Sequence, residues 1–461
     1  MTNSGILLKC LRQLSSQNII PHICVVGAGP AGFYATQQIL KSINNVKVDI
    51  IEKLPVPYGL VRFGVAPDHP EVKNVINTFD KIAQDIRVQF LGNINVGRDI
   101  TLYELKQYYH AVLLTYGASE DKKLMIPGEN LKNVISANHF VGWYNGLPNH
   151  QNLNIDLNKT DAIILGQGNV AIDIARILLS PIDKLKKTDI TSYSLECLSR
   201  SKVRRVWLVG RRGPLQASFS IAELRELLKL ENCKTYWRSN DFKGIQDIVP
   251  NLARPRKRLT ELMLKSIEES SFDNRICDKE FHPIFLRGPV EFLGFDSVEN
   301  VKLSVNELEG DHFLKQIAKS IGEFEEISCG LAFKSIGYKS TQIDPSIPFD
   351  LESGRIINSS GKVEKGLYTA GWVATGPIGV ILSTMANAFT AGKLLAKEVE
   401  LMKQMPGYHE LQKFLRKKGI CIINYEGWKK IDNEECERGK KLGKPREKIV
   451  DISEMIEIAS N

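Results

Sequence analysis

Two glycine-rich turns carry the clearest chemistry in this 461-residue sequence. The first is Gly27-Ala28-Gly29-Pro30-Ala31-Gly32, a GxGxxG turn; the second is Gly166-Gln167-Gly168-Asn169-Val170-Ala171, a GxGxxA turn. In such a turn the first glycine permits a tight bend, the second lets a pyrophosphate approach the backbone, and the third small residue lets helix and strand pack closely. The N–H groups at the start of the following helix then face the phosphates. The pattern therefore implies two dinucleotide sites. The two differ in the charge that stands beyond the turn. Glu52, 20 residues after Gly32, can accept hydrogen bonds from ribose hydroxyls. At the matching place after the second turn stand Arg211 and Arg212. A carboxylate there would repel a 2′-phosphate, whereas guanidinium groups pair with it, so the second site is expected to select NADP(H) over NAD(H).

Each turn needs a strand before it, a helix after it and a second strand beyond. The sequence supplies an apolar strand at 22–26, a helix at 33–40 and a strand at 46–51 for the first. For the second it supplies a strand at 161–165, a helix at 172–179 and a strand at 205–210. Residues 181–201 form an extension between the second helix and its strand. Near the C-terminus, 366–371 is expected as a short strand, 376–379 as a loop and 380–396 as a helix. These alternations predict an α/β fold with two Rossmann-like, mainly parallel doubly wound sheets.

The composition is that of a soluble globular chain, with 43% hydrophobic and 25% charged residues. It excludes a wholly disordered, collagen-like or membrane-embedded protein. The net charge of +8 is modest for this length and does not by itself mark a nucleic-acid binder. Eight cysteines are dispersed with no CxxC spacing, so neither a disulfide framework, a metal site nor a dithiol redox centre is expected. The first acidic residue is Asp49, and residues 1–20 carry Lys9, Arg12, several serines and leucines. That composition suits a mitochondrial transit peptide.

Between the two turns lies a long, peculiar segment, Pro55-Val-Pro-Tyr-Gly-Leu-Val-Arg-Phe-Gly-Val-Ala-Pro-Asp-His-Pro-Glu-Val-Lys-Asn74. Together with Gly166-Gln-Gly-Asn-Val170 and Gly210-Arg-Arg-Gly-Pro-Leu-Gln216, it resembles the adrenodoxin reductase family of mitochondrial ferredoxin–NADP reductases, over about residues 22–448. The resemblance implies FAD at the first turn, as the Pro30-Ala31 pair also does by likeness to flavoproteins. It assigns FAD contacts to Gly27, Gly29, Pro30, Ala31, Gly32, Glu52, Leu60, Val96, Trp372, Gly379, Val380 and Ile381. It assigns NADP contacts to Gln167, Gly168, Asn169, Val170, Arg211, Arg212, Glu223 and Gly379. Gly371-Trp372 stands where the wider two-dinucleotide family usually has Gly-Asp, a departure that matches this family. His69 and Asp173 are implied to meet near the flavin and to tune proton uptake or domain contact, although hydride transfer itself requires no general base.

The densest basic cluster in the middle of the chain is Arg254-Pro-Arg256-Lys-Arg258, with Arg225 on a preceding helical segment. No nucleic-acid signature accompanies it. By resemblance, Arg225, Arg254 and Arg258 meet a small acidic 2Fe–2S ferredoxin, an association that charge would steer. The basic tail at 413–448 reads mainly as a solvated surface. The resemblance implies NADPH as exchanging substrate, tightly bound FAD, and one-electron delivery to ferredoxin in the mitochondrial matrix, by a monomer with at most peripheral membrane association. Steroid-hydroxylating cytochromes and iron–sulfur cluster assembly are both open as destinations. A flavin-dependent monooxygenase and the electron-input subunit of a larger redox complex remain as alternatives. Since the FAD motifs flank the NADP motif, the expected organisation is a transit peptide at 1–20, an FAD-binding domain at 21–125 and 343–461, and an inserted NADP-binding domain at 126–342. The crossings are expected near 117–129 and 335–348.

Overall fold

Parallel strands covered on both faces must be apolar throughout, and the strands beside the glycine turns are. In the computed structural model, which describes residues 19–272, 274–377, 379 and 381–461, β1 (His22–Val26) is buried along its whole length. It leads into α1 (Pro30–Ser42), β2 (Lys47–Ile51), the single turn α2 (Leu60–Phe63), β3 (Val88–Leu91) and β4 (Ala111–Leu114). Most of the transit-peptide expectation, and Val380, lie outside the described residues.

After β4 the chain leaves this sheet through β5 (Glu120–Asp121) and builds another. The second sheet takes β6 (Val134–Ser136), β7 (Asp161–Leu165), β8 (Arg205–Val209), β9 (Cys233–Thr235), β10 (Lys279–Ile284) and, later in the chain, β14 (Leu331–Lys334). Between its strands lie α3 (Asn169–Leu179), α4 (Ile221–Leu228) and α5 (Arg254–Ser271). Its order is β6-β14-β7-β8-β10-β9, parallel throughout. The chain returns through β15 (Tyr338–Lys339), which pairs antiparallel with β5, so the outgoing and incoming crossings run side by side. A small ribbon comes next, β16 (Phe349–Asp350) with β17 (Arg355–Ile356). Then β18 (Lys362–Glu364) and β19 (Leu367–Thr369) complete the first sheet, whose order is β18-β19-β4-β1-β2-β3. The fold class is thus the one the sequence implied: two six-stranded α/β sheets, the second formed from chain between parts of the first.

Side chains alternate between the two faces of each sheet. Ile23, Val25, Val48 and Ile50 pack with α1 and with α6 (Ile381–Glu398), while Cys24, Val26, Ile51 and Leu114 face the opposite layer. The contact between α1 and α6 is close because Gly392 lacks a side chain; a Cβ there would fall 2.8 Å from the Ala35 carbonyl oxygen. One face of the second sheet is covered not by helices but by an antiparallel sheet of β11 (Arg287–Leu293), β12 (Asn300–Glu309) and β13 (Ile317–Ser328). Val301, Leu303 and Ile327 from it pack on Ile163, Val209 and Ile284. The central strand β12 alternates in burial over most of its length, as an antiparallel strand with one solvated face does.

The basic tail is mainly solvated, as expected, since seven of its twelve lysines and arginines are exposed, but its C-terminal end is not. Within α7 (Tyr425–Lys441), Trp428 and Glu435 are buried, and beyond it so are Lys444 and Lys448. Glu435 pairs with Arg62 from α2 and with Arg446 (2.9 Å), and accepts from the Ile449 N–H (3.0 Å). Lys448 meets Asp189 at 3.1 Å, and Lys73 meets the same carboxylate at 2.7 Å. These charges are internal because each has a counter-charge, from nearby Glu447 for Lys444 and from distant segments for Glu435 and Lys448. Burial pushes the Lys448 ammonium down to about 7, while Lys448 and Lys73 hold Asp189 well below the usual carboxylate range despite its burial.

Candidate functional site

At the carboxyl end of β1 the chain turns through Gly27 (φ +111°), a backbone conformation that favours glycine. A Cβ at Gly27 would lie 2.7 Å from the Thr115 carbonyl oxygen, and one at Gly32 only 2.1 Å from that of Gly27. Both glycines are therefore demanded by the protein's own packing. Gly29 is different: a Cβ there would meet nothing within 4 Å, and its backbone is ordinary (φ −88°, ψ −173°). Pro30, which has no N–H to leave unpaired, opens α1 with Ala31, and the N-terminus of α1 stands over the open space at Gly29. The cradle has the shape a pyrophosphate requires.

Glu52 stands at the end of β2, where its carboxylate accepts from the N–H groups of Ala28 (2.9 Å) and Leu54 (3.3 Å). Burial pushes its carboxyl up against those bonds. It braces the glycine turn from below, and each oxygen keeps a lone pair for a ribose hydroxyl. The peculiar segment forms the other wall: the Tyr58 N–H donates to the Ala28 carbonyl (2.8 Å), a Cβ on Gly59 would lie 3.2 Å from Gly29 Cα, and Leu60 is part-exposed beside it. Val96 is buried in the layer that also takes Val26, Ile51 and Leu91. From the far end of the chain, Gly371 (φ +73°) receives Asn387 Oδ1 at its N–H (2.7 Å), and a Cβ there would lie 2.6 Å from the Ala31 methyl. Trp372 comes next, its indole N–H buried without an acceptor, an orphaned donor of the kind a bound ligand satisfies. Gly379 is exposed at φ +88° just before Ile381 opens α6. The glycine turn, Glu52, the Tyr58–Leu60 wall and Gly371 are thus brought together, with Trp372 next in the chain.

The second cradle repeats the arrangement. Gly166 has φ +134°, and a Cβ there would lie 2.0 Å from the Ser335 carbonyl oxygen; at Gly168 it would meet nothing within 4 Å. The Gln167 side chain folds back under Gly210 and reaches the Ile284 carbonyl (3.3 Å), so Gln167 offers the cradle its backbone rather than its amide. Asn169 Oδ1 accepts from the Ser220 N–H (2.7 Å), tying the start of α3 to the start of α4, and Val170 continues the first turn of α3. Arg211 and Arg212 leave the end of β8, and no carboxylate among the described residues pairs with either. Two guanidiniums held without counter-charge suit an incoming phosphate. Half-buried Arg256 donates to the Ala217 carbonyl (2.6 Å), and its guanidinium is depressed by burial and then by the charge of Arg212.

His69 and Asp173 come together, in a network that the sequence does not suggest. Arg176, one turn after Asp173 on α3, is 3% exposed. Its Nε and Nη2 donate to Asp68 (2.5 and 3.2 Å), Nη2 also to Asp173 (2.8 Å), and Nη1 to Glu223 (2.9 Å). His69 Nε2 lies 2.7 Å from Glu226 Oε2, without hydrogen-bond alignment, and 3.8 Å from Glu223 Oε2. Burial, opposed by Arg176 and reinforced by Glu223 and Asp68, pushes Asp173 well above the usual carboxylate range. Glu223 therefore faces this network at the junction of the two sheets. Ligand-capable atoms of His69, Asp173 and Glu223 lie within 4.8 Å of one another, but the Arg176 guanidinium already supplies the positive charge there.

On the outer surface, Arg254 and Arg258 lie one turn apart and exposed at the start of α5, which packs on α4 carrying exposed Arg225. None of the three pairs with a carboxylate among the described residues.

Two mainly parallel sheets, each with a glycine cradle at the carboxyl end of one strand, β1 in the first and β7 in the second, define a two-dinucleotide oxidoreductase. Residues 21–212 match the pyridine nucleotide-disulphide oxidoreductase family model. The seven described cysteines are all free. The chain is 50% identical to the mitochondrial NADPH:adrenodoxin oxidoreductase of Drosophila melanogaster, covering 97% of this chain and 96% of that one. It is 48% identical to the Homo sapiens protein of the same name, over 96% and 93%. Among solved structures, Mycobacterium tuberculosis FprA in complex with NADPH superposes with a TM-score of 0.91 at 34% identity, over 96% of this chain and all of that one. The chain belongs to the NADPH:adrenodoxin oxidoreductase family.

Proposed function

We infer that the chain is an FAD-dependent oxidoreductase that takes electrons from NADPH and delivers them, one at a time, to an adrenodoxin-type 2Fe–2S ferredoxin in mitochondria. The single observation that carries this reading is the pair of open cradles at Gly29 and Gly168, braced by Glu52 in the first and followed in the second by two arginines that no carboxylate among the described residues pairs with. FAD, when bound, supplies the conversion between a hydride donor and a one-electron acceptor. The chain's own residues do the rest. Gly27, Gly29, Pro30, Ala31, Gly32, Glu52, Leu60, Val96 and Trp372 hold the flavin nucleotide, with Gly379, Val380 and Ile381 closing over it. Gln167 to Val170 hold the second pyrophosphate, Arg211 and Arg212 hold the 2′-phosphate, and Gly379 stands where both nucleotides meet. Glu223, His69 and Asp173 set the charge between the two sites.

Residues 126–342 are read as the NADP-binding unit, inserted between the two parts of the FAD-binding unit at 21–125 and 343–461; the paired crossings β5 and β15 support that division. Arg225, Arg254 and Arg258 are read as the docking surface for the acidic ferredoxin. A monomer in the matrix, at most peripheral on the inner membrane, fits these features. Among the described residues no helix is long and apolar enough to cross a membrane. The reading is tested by reducing the holoprotein with NADPH without oxygen and adding oxidised 2Fe–2S ferredoxin. Bleaching of the ferredoxin absorbance with reoxidation of the flavin is expected; a reduced protein that ferredoxin leaves unchanged refutes it.

A further inference from the structure

One buried guanidinium joins segments that the two sheets hold separately. Asp68 lies in the segment that walls the first cradle, Asp173 on the helix of the second cradle, and Glu223 on α4, and Arg176 donates to all three. Its contact with Asp68 is bidentate, the geometry that the planar fork of arginine provides and a lysine ammonium cannot. Four carboxylates face this spot: Asp68 from the loop, Asp173 from α3, and Glu223 and Glu226 from α4. Beyond them stand the His69 ring and the hydroxyls of Tyr144 and Tyr338, both held protonated by burial near Asp173. With so many acids round one enclosed cation, the charge of the cluster depends on Arg176.

Resting on the oxidoreductase reading, we propose that Arg176 is the positioning residue of the reaction: it docks the Asp68-His69 segment onto the NADP-site helix and fixes which of the surrounding carboxyls carry protons. Three observations converge. The guanidinium is almost wholly enclosed, so its bonds are not screened. It spans 108 positions to Asp68 and 47 to Glu223, so it couples the flavin-side wall to the nicotinamide-side helix rather than bracing one helix. It also binds Glu223 through Oε2, the same oxygen that lies 3.8 Å from His69 Nε2, so the guanidinium and the histidine face one carboxylate atom. A purely structural ion pair has no need of three partners from three elements beside a histidine.

The test compares Arg176→Lys and Arg176→Gln in the FAD-loaded protein. Two readouts are taken across pH 5–9: the dissociation constant for NADP+ by calorimetry, and the rate of flavin bleaching by NADPH without oxygen. FAD content should stay at the parent level in both variants, because the first cradle does not touch Arg176. Arg176→Gln removes the positive charge, so the carboxyls hold protons more tightly, and both profiles should move up by about 1–3 pH units. Its bleaching rate should fall on the order of 10- to 100-fold, the loss of charge-assisted bonds made by one guanidinium. Arg176→Lys keeps the charge but not the fork, so its profiles should stay at the parent pH while the rate still falls. If Arg176→Gln fails to fold, Asp68→Asn, which removes only the bidentate partner, should slow bleaching with FAD retained. Parent-like rates in these variants overturn the proposal. So does a slowed Arg176→Gln whose pH profiles do not move, since that is a packing loss alone. A parent protein that NADPH does not reduce at all refutes the oxidoreductase reading instead.

Discussion

The two open cradles predict that one added methyl group will separate binding of the two nucleotides. At Gly29 a Cβ meets no protein atom within 4 Å, and the backbone (φ −88°, ψ −173°) is one any L-residue adopts. Gly29→Ala should therefore leave the apoprotein as stable as the parent, or more stable by about 0.4–1 kcal/mol through a less flexible unfolded chain. The methyl group instead occupies the space the pyrophosphate must approach. Overpacking at such a contact costs about 1–3 kcal/mol, which weakens FAD binding roughly 5- to 150-fold. Gly168→Ala has the same local freedom in the second cradle and should retain FAD while raising KM for NADPH by a similar factor. Gly32→Ala is the contrasting case, because its Cβ would lie 2.1 Å from a backbone oxygen and the turn itself must move. The assay is FAD content and affinity by fluorescence on reconstituted apoprotein, with denaturant unfolding of the apoprotein alongside. Gly29→Ala binding FAD as the parent does, or Gly168→Ala losing FAD, would refute the assignment of the cradles.

Replacing both Arg211 and Arg212 by Gln should raise KM for NADPH by roughly 10- to 100-fold and leave activity with NADH unchanged; equal loss with both donors would count against a 2′-phosphate site. Charge reversal at Arg254 and Arg258, which are exposed and unpaired, should raise KM for ferredoxin and flatten its salt dependence while sparing NADPH-dependent dye reduction; equal loss of both activities would remove the docking role. Asp49, buried on β2 and accepting from Tyr109 Oη–H at 2.8 Å, is pushed up to about 7 by burial. Its folded form holds a proton that the unfolded chain has lost, so its contribution to stability is full below about pH 4 and disappears as pH rises through about 7. Asp49→Asn should therefore gain stability over the parent on going from pH 5 to pH 8, by roughly 2–3 kcal/mol at most, in denaturant melts; a gap that does not change with pH would contradict this.

The cradles were legible in the sequence because each requires glycine at fixed spacing, and glycine is the residue whose absence of a side chain can be read without a fold. The contrast between Glu52 and Arg211-Arg212 was legible because each follows closely on the second strand of its unit, although the extension at 181–201 puts that strand much farther from the second turn than from the first. Arg176 was not, because its meaning lies in the convergence of Asp68 and Glu223, which no local spacing encodes. The buried end of the basic tail was hidden on the same account. Composition shows the charge of Lys448 and Arg446 but not that Asp189 and Glu435 wait for them inside the protein. The antiparallel layer of β11 to β13 carries no nucleotide motif, and only its pairing reveals it.

The central claim is that NADPH electrons leave this protein through ferredoxin. It is tested most directly by NADPH-dependent reduction of cytochrome c by the holoprotein, with and without added 2Fe–2S ferredoxin, and with NADH in place of NADPH. The expected rate depends on ferredoxin, falls with added salt and is far lower with NADH. A rate that is the same without ferredoxin would contradict the claim.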